Sequence, residues 1–139
     1  MRTILSIMVL VLVFACNQEE KKSSDEAVPH SQGLTTIQWL DTAKSVGKIN
    51  EGEKVQIDFR FINSGPNPLV ISNIGVSCGC TVAEKPGELI APGKEGVIKA
   101  VFDSKNRVGT NHKSLTVYAN TEKPMHPLAF EVEVVPAKK

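Results

Sequence analysis

Charge of one sign is not in excess in this chain: 16 Lys and Arg stand against 15 Asp and Glu. Arg2 is the one charged residue among the first fifteen, so 15 positive and 15 negative side chains remain from position 16 onward. A near-neutral chain with no basic cluster excludes nucleic acid as a partner. No Gly-x-Ser-x-Gly nucleophile elbow is expected, and a His-Glu-x-x-His metal helix and a phosphate-cradling glycine loop are missing too. With no suggested pairing of nucleophile and base, the sequence reads as non-enzymatic and without a cofactor. No stretch repeats its apolar residues every 3.6 positions, and no 20–50-residue segment recurs, so helical bundles and solenoids are both excluded. The longest apolar run, Ile4 to Ala15, is about twelve residues and too short to cross a bilayer as a helix.

That run suits a signal peptide instead. Arg2 gives it a positive start, and it ends in Val13-Phe14-Ala15-Cys16, which resembles the bacterial lipobox. Residues 1–15 are expected to be cleaved and Cys16 to carry acyl chains, more than one of which is needed for stable anchoring. From Cys16 to Gly33 the composition turns polar, through Glu19, Glu20, Lys21, Lys22, Ser23, Ser24, Asp25 and Glu26 to Pro29. Such a segment buries nothing, and about seventeen flexible residues span roughly 20–25 Å, which makes it a tether. The Glu19-Glu20 pair also resembles a surface-sorting signal. The chain is therefore expected in the bacterial cell envelope, lipid-anchored on the periplasmic or surface side.

Residues 34–139 change pattern again. Val55, Ile57, Phe59 and Phe61 alternate with Gln56, Asp58, Arg60 and Ile62, the period of a half-buried strand. Further runs are Ile37 to Trp39, Leu69 to Ile71, Val76 to Val82, Ile98 to Phe102, Leu115 to Ala119 and Leu128 to Val134. Between them fall turn residues such as Asn63-Ser64-Gly65-Pro66, Lys85-Pro86-Gly87 and Ala91-Pro92-Gly93-Lys94. About seven short strands predict an all-β, immunoglobulin-like antiparallel β-sandwich. The run Val55 to Phe61 is expected on one sheet. Ile98, Ala100, Phe102, Leu115, Val117, Phe130 and Val132 are expected opposite it.

Val76-Ser77-Cys78-Gly79-Cys80-Thr81-Val82 needs a chemical account of its own. In an extended chain Val76, Cys78, Cys80 and Val82 share one face, which favours two structural thiols buried beside two valines. Burying Ser77 and Thr81 instead would leave hydroxyls unpaired. A disulfide is a second reading, needing a kink at Gly79 because two residues of strand separate Cα atoms by roughly 6.6 Å. It would open a role in thiol redox chemistry. Metal binding is a third: paired thiolates suit copper or zinc, with His112 and His126 completing a zinc site from other strands.

Phe59-Arg60-Phe61-Ile62-Asn63-Ser64-Gly65, the Cys78-Gly79-Cys80-Thr81 element, Ala91-Pro92-Gly93-Lys94 and Tyr118-Ala119-Asn120 together resemble the bacterial family called domain of unknown function 1573. The likeness runs from about Trp39 to Val135. It implies a sandwich similar to the domains of major sperm proteins and of cilium and centrosome proteins, which bind other proteins. Relatives often carry an aromatic residue before the glycine in the Ala43 to Gly47 segment, where this chain has Val46. The expected function is a membrane-tethered protein-binding or structural module whose partner is another envelope protein. A thiol redox or copper-handling role for Cys78 and Cys80 is the alternative.

Overall fold

The computed structural model describes residues 33–87 and 89–137. The expected signal peptide, Cys16 and the tether before Gly33 lie outside these residues. Eight strands follow one another: β1 (Ile37–Trp39), β2 (Ala43–Asn50), β3 (Lys54–Asn63), β4 (Ile71–Val76), β5 (Thr81–Glu84), β6 (Glu95–Asp103), β7 (Gly109–Ala119) and β8 (Met125–Val135). They form two four-stranded sheets, in the orders β1-β3-β6-β5 and β2-β8-β7-β4.

Alternation accounts for the long strands. Ile57, Phe59 and Phe61 of β3 and Ile98, Ala100 and Phe102 of β6 point inward from the first sheet, with Phe59, Phe61 and Phe102 wholly buried. Leu115 and Val117 of β7 face them with Leu128, Phe130 and Val132 of β8, and the Phe102 and Phe130 rings meet edge-on at 5.8 Å. One expectation needs correction here. β6 pairs directly with β3, Phe59 opposite Ile98, so Ile98, Ala100 and Phe102 belong to the same sheet as β3 and not to the one opposite. Val55, at the start of β3, is only partly buried.

The eighth strand is β2. Its Ala-Lys-Ser-Val-Gly-Lys-Ile-Asn sequence lacks clean alternation because β2 is an edge strand, pairing only with β8. It runs parallel to β8, with a shift in register between Ser45 and Lys48, so the second sheet is mixed where an antiparallel one was expected. At the corner between β1 and β2 the Arg60 Nε donates to Asp41 Oδ2 at 3.0 Å. This hydrogen bond holds the Asp41 carboxyl at about 2, below its ordinary 3.8.

Three polar side chains, two of them buried and the third half-buried, lock the loops at the ends of the sandwich. Asn63 continues the inward parity of Phe59 and Phe61 and is fully buried. Its Nδ2 donates to Asn67 O and Ile90 O, both at 2.8 Å. Its Oδ1 accepts from Thr35 Oγ1 at 2.8 Å and Gly65 N at 3.2 Å. All four hydrogen-bonding positions of the amide are filled. Gly65 cannot be anything larger: a Cβ there would lie 2.3 Å from the Thr36 backbone nitrogen. At the same end Asn120 accepts from Val70 N at 2.7 Å and donates to Gly33 O and Pro68 O. At the other end the buried Ser104 hydroxyl donates to Glu53 O at 2.7 Å and Asn50 O at 3.0 Å. The Asn-Ser-Gly and Tyr-Ala-Asn elements of the sequence are therefore clamps on the fold.

Candidate functional site

The chain leaves the second sheet at Val76 and joins the first at Thr81, crossing the sandwich in four residues. Within the crossing, Thr81 N donates to Cys78 O at 3.3 Å and closes a turn around Gly79. Ser77 N donates to Ser114 O at 3.0 Å, and Asp103 N to Cys80 O at 2.9 Å, tying one end of the turn to β7 and the other to β6. Cys78 and Cys80 are joined as a disulfide with Cα atoms 5.3 Å apart.

The favoured expectation of two free thiols sharing a strand face with Val76 and Val82 is thus corrected. Parity holds only along a continuous strand, and this chain changes sheets between the two valines. Val76 is 39% exposed and Val82 64%, whereas Thr81 is buried. The cost assigned to burying Thr81 does not arise, since its hydroxyl lies 3.8 Å from Cys78 Sγ and 3.9 Å from Cys80 Sγ. Cys80 is buried and Cys78 only partly so. Beside them Gly79, Cys80, Asp103, Lys105, Asn106 and Arg107 line a shallow hollow of about 200 Å³. Sequence reasoning missed Lys105 and Arg107, and placed Thr81 on the face away from the cysteines. The one available signal was Thr81 itself, directly following the second cysteine.

Against the expectation that no nucleophile elbow is present, Gly75-Val76-Ser77-Cys78-Gly79 does have the Gly-x-Ser-x-Gly spacing of one. That motif works on a strand-to-helix turn, whereas here a turn joins two strands. Ser77 Oγ accepts from Ser114 N at 3.2 Å and serves the crossing.

The two histidines raised as possible metal ligands are engaged elsewhere. His112 Nδ1 lies 3.1 Å from Glu131 Oε2. His126 Nε2 lies 2.8 Å from Thr121 Oγ1, with its ring 6.0 Å from that of Trp39, and burial pushes its pKa below the usual value. Among the described residues no group of three or more His, Cys, Asp and Glu is placed to hold a metal ion. Sulfurs bonded to each other are not thiolate ligands in this state.

A second surface feature lies on the outward face of the other sheet. Ala43, Ala129 and Ser114 form a row across β2, β8 and β7, and Ser45, Glu131 and His112 form the next. These six residues line much of a trough of about 530 Å³. Small side chains in its floor let another molecule approach the sheet closely.

Two sheets in the orders β1-β3-β6-β5 and β2-β8-β7-β4, the first matching A-B-E-D and the second adding a strand to G-F-C, define an immunoglobulin-like β-sandwich. The expected fold class is the observed one. Within that class the chain belongs to the family described as protein of unknown function DUF1573, whose model matches residues 37–134. The structure is similar to a protein of unknown function from Porphyromonas gingivalis W83, with a TM-score of 0.63 and 14% identity. That likeness covers 73% of this chain and 48% of the other, so the chain spans about half the length of that relative. An ASH/PapD-like domain of human CEP192 matches with a TM-score of 0.56 and 11% identity, over 76% of this chain and 89% of that one. The VesB protease of Vibrio cholerae matches with 0.53 and 13%, over 73% of this chain and 31% of that one. At such identities the likeness is one of fold alone. No functionally curated protein matches the sequence.

Proposed function

We propose that this chain is a lipid-anchored protein of the bacterial cell envelope, and that its sandwich is a non-enzymatic module for binding another envelope protein. The observation that carries the binding role is the trough across β2, β8 and β7. Its small floor residues, Ala43, Ala129 and Ser114, leave the sheet open to a partner, and His112, Glu131 and Ser45 supply polar groups at its side. Recognition surfaces of this kind join an accessible floor to a few placed polar groups. The envelope location is supported by the signal-like start, the Cys16 lipobox and the polar tether. The Cys78–Cys80 disulfide suits the same oxidising compartment.

Site-specific photocrosslinking in intact cells tests the binding surface. A photoreactive residue at exposed Ala129, in the trough, is expected to give a discrete adduct with one envelope protein. The same residue at exposed Lys99, on the outward face of the first sheet, is expected to give little of it. Equal adducts at the two positions, or none at Ala129, would count against the trough as the binding surface.

A further inference from the structure

We propose that the Cys78–Cys80 disulfide is a site of thiol–disulfide exchange with dithiols, and not a staple of the fold. Four observations converge on the turn. Hydrogen bonds already hold it: Thr81 N to Cys78 O closes it, Ser77 N to Ser114 O ties it to β7, and Asp103 N to Cys80 O ties it to β6. A bridge between residues only two apart adds little to that, because the chain entropy a disulfide removes falls with the length of the loop it closes.

The two sulfurs are also unequal. Cys80 is buried while Cys78 is partly exposed, and Gly79 between them is exposed, with open space where a side chain would stand. An incoming thiolate therefore reaches Cys78, and Cys80 is the leaving group. Thr81 supplies the third observation. Its buried hydroxyl has the two sulfurs as its hydrogen-bond partners among the described residues. A disulfide sulfur is a weak acceptor and a thiolate a strong one, so this hydroxyl gains most when Cys80 is released. Finally, Lys105 and Arg107 line the hollow beside Cys80, and neighbouring cations favour a thiolate. Asp103 lines it too, but its carboxylate lies 3.6 Å from Lys54 Nζ and accepts from Lys105 N.

The chemistry balances as two displacements. A thiolate of the dithiol attacks Cys78 Sγ, a new S–S bond forms, and the Cys78–Cys80 bond breaks with its electron pair on Cys80 Sγ. The second thiolate of the dithiol then attacks its own sulfur in the mixed disulfide and expels Cys78 as a thiolate. The dithiol leaves oxidised to a disulfide, and the two protons it gave up are taken by Cys78 and Cys80.

The purified chain, oxidised, is treated with dithiothreitol under native conditions and followed by maleimide mass shift and circular dichroism. Reversible reduction with the β-sheet spectrum retained is expected. A parallel sample with reduced glutathione is acid-quenched and mapped peptide by peptide, which keeps Cys16 separate, and the mixed disulfide is expected on Cys78. Thr81→Val, close in shape, is expected to slow exchange about tenfold, from loss of a hydrogen bond to a charged group, and Thr81→Ser to restore it. Reduction that requires denaturant, or that unfolds the domain, makes the bridge a staple and overturns the proposal. So does a glutathione adduct found equally on Cys80, or a Thr81→Val variant that exchanges at the wild-type rate.

Discussion

Replacing Asn63 by leucine is expected to destabilise the domain by roughly 3–6 kcal/mol, from two or three buried polar groups left unpaired at about 1–3 kcal/mol each. Those groups are the Asn67 carbonyl and the Gly65 N–H, both bonded to this one side chain, whereas the Ile90 carbonyl keeps its bond from Leu69 N. Thr35 Oγ1 loses its acceptor as well. Leucine is similar in size, so the loss reads polar satisfaction and not a cavity. A domain of this size has only about 5–15 kcal/mol in hand, so the variant should be largely unfolded at moderate denaturant concentration. Ser64→Ala, one residue away and exposed, should stay within about 0.5 kcal/mol. Equilibrium urea denaturation of the two variants checks the contrast. Similar midpoints would mean that the Asn63 network does not clamp the loops.

Phe59→Ala is expected to cost about 3–5 kcal/mol through lost burial and the cavity left behind. Phe59 is fully buried at the middle of β3, opposite Ile98, where pairing with β6 restrains the backbone from closing inward. Arg60→Ala, on the outward side of the same strand, keeps the core intact and removes only the Asp41 pairing. Thermal melts of both read the register of β3 directly. A larger loss at Arg60 than at Phe59 would mean that the strand faces the other way.

How much of this was legible in the sequence depended on whether one side chain period governed a segment. In β3, β6 and β8 it did: one face meets the core, the other meets water, and the apolar residues mark the strand. Asn63 broke the pattern for a reason that alternation does not encode. It sits at an inward position of β3 but meets three loops instead of the opposite sheet, and its amide is needed there because loop carbonyls are buried with it. β2 escaped notice because an edge strand paired with one neighbour has fewer buried positions to declare. The Cys-Gly-Cys segment misled for a different reason. Its residues do alternate, but the chain turns between sheets at Gly79, which brings the two Cα atoms to 5.3 Å, whereas a fully extended strand holds them at the upper edge of what a disulfide permits. Thr81 became buriable only once both sulfurs stood beside it, a neighbourhood produced by the turn itself. The trough could not be read either, since Ala43, Ser114 and Ala129 are far apart in the chain and meet only through the parallel pairing of β2 with β8 and the antiparallel pairing of β8 with β7.

The proposed role rests on the domain standing outside the cytoplasm at the end of a lipid anchor, and one mass measurement bears on that directly. The protein is extracted in detergent from the membranes of cells that produce the full chain, and its intact mass is determined beside that of Cys16→Ser. The account predicts residues 16–139 plus acyl groups for the wild type, with the acyl mass absent from the Cys16→Ser protein. A wild-type mass equal to the full 139 residues, or to residues 16–139 with no acyl addition, would contradict it.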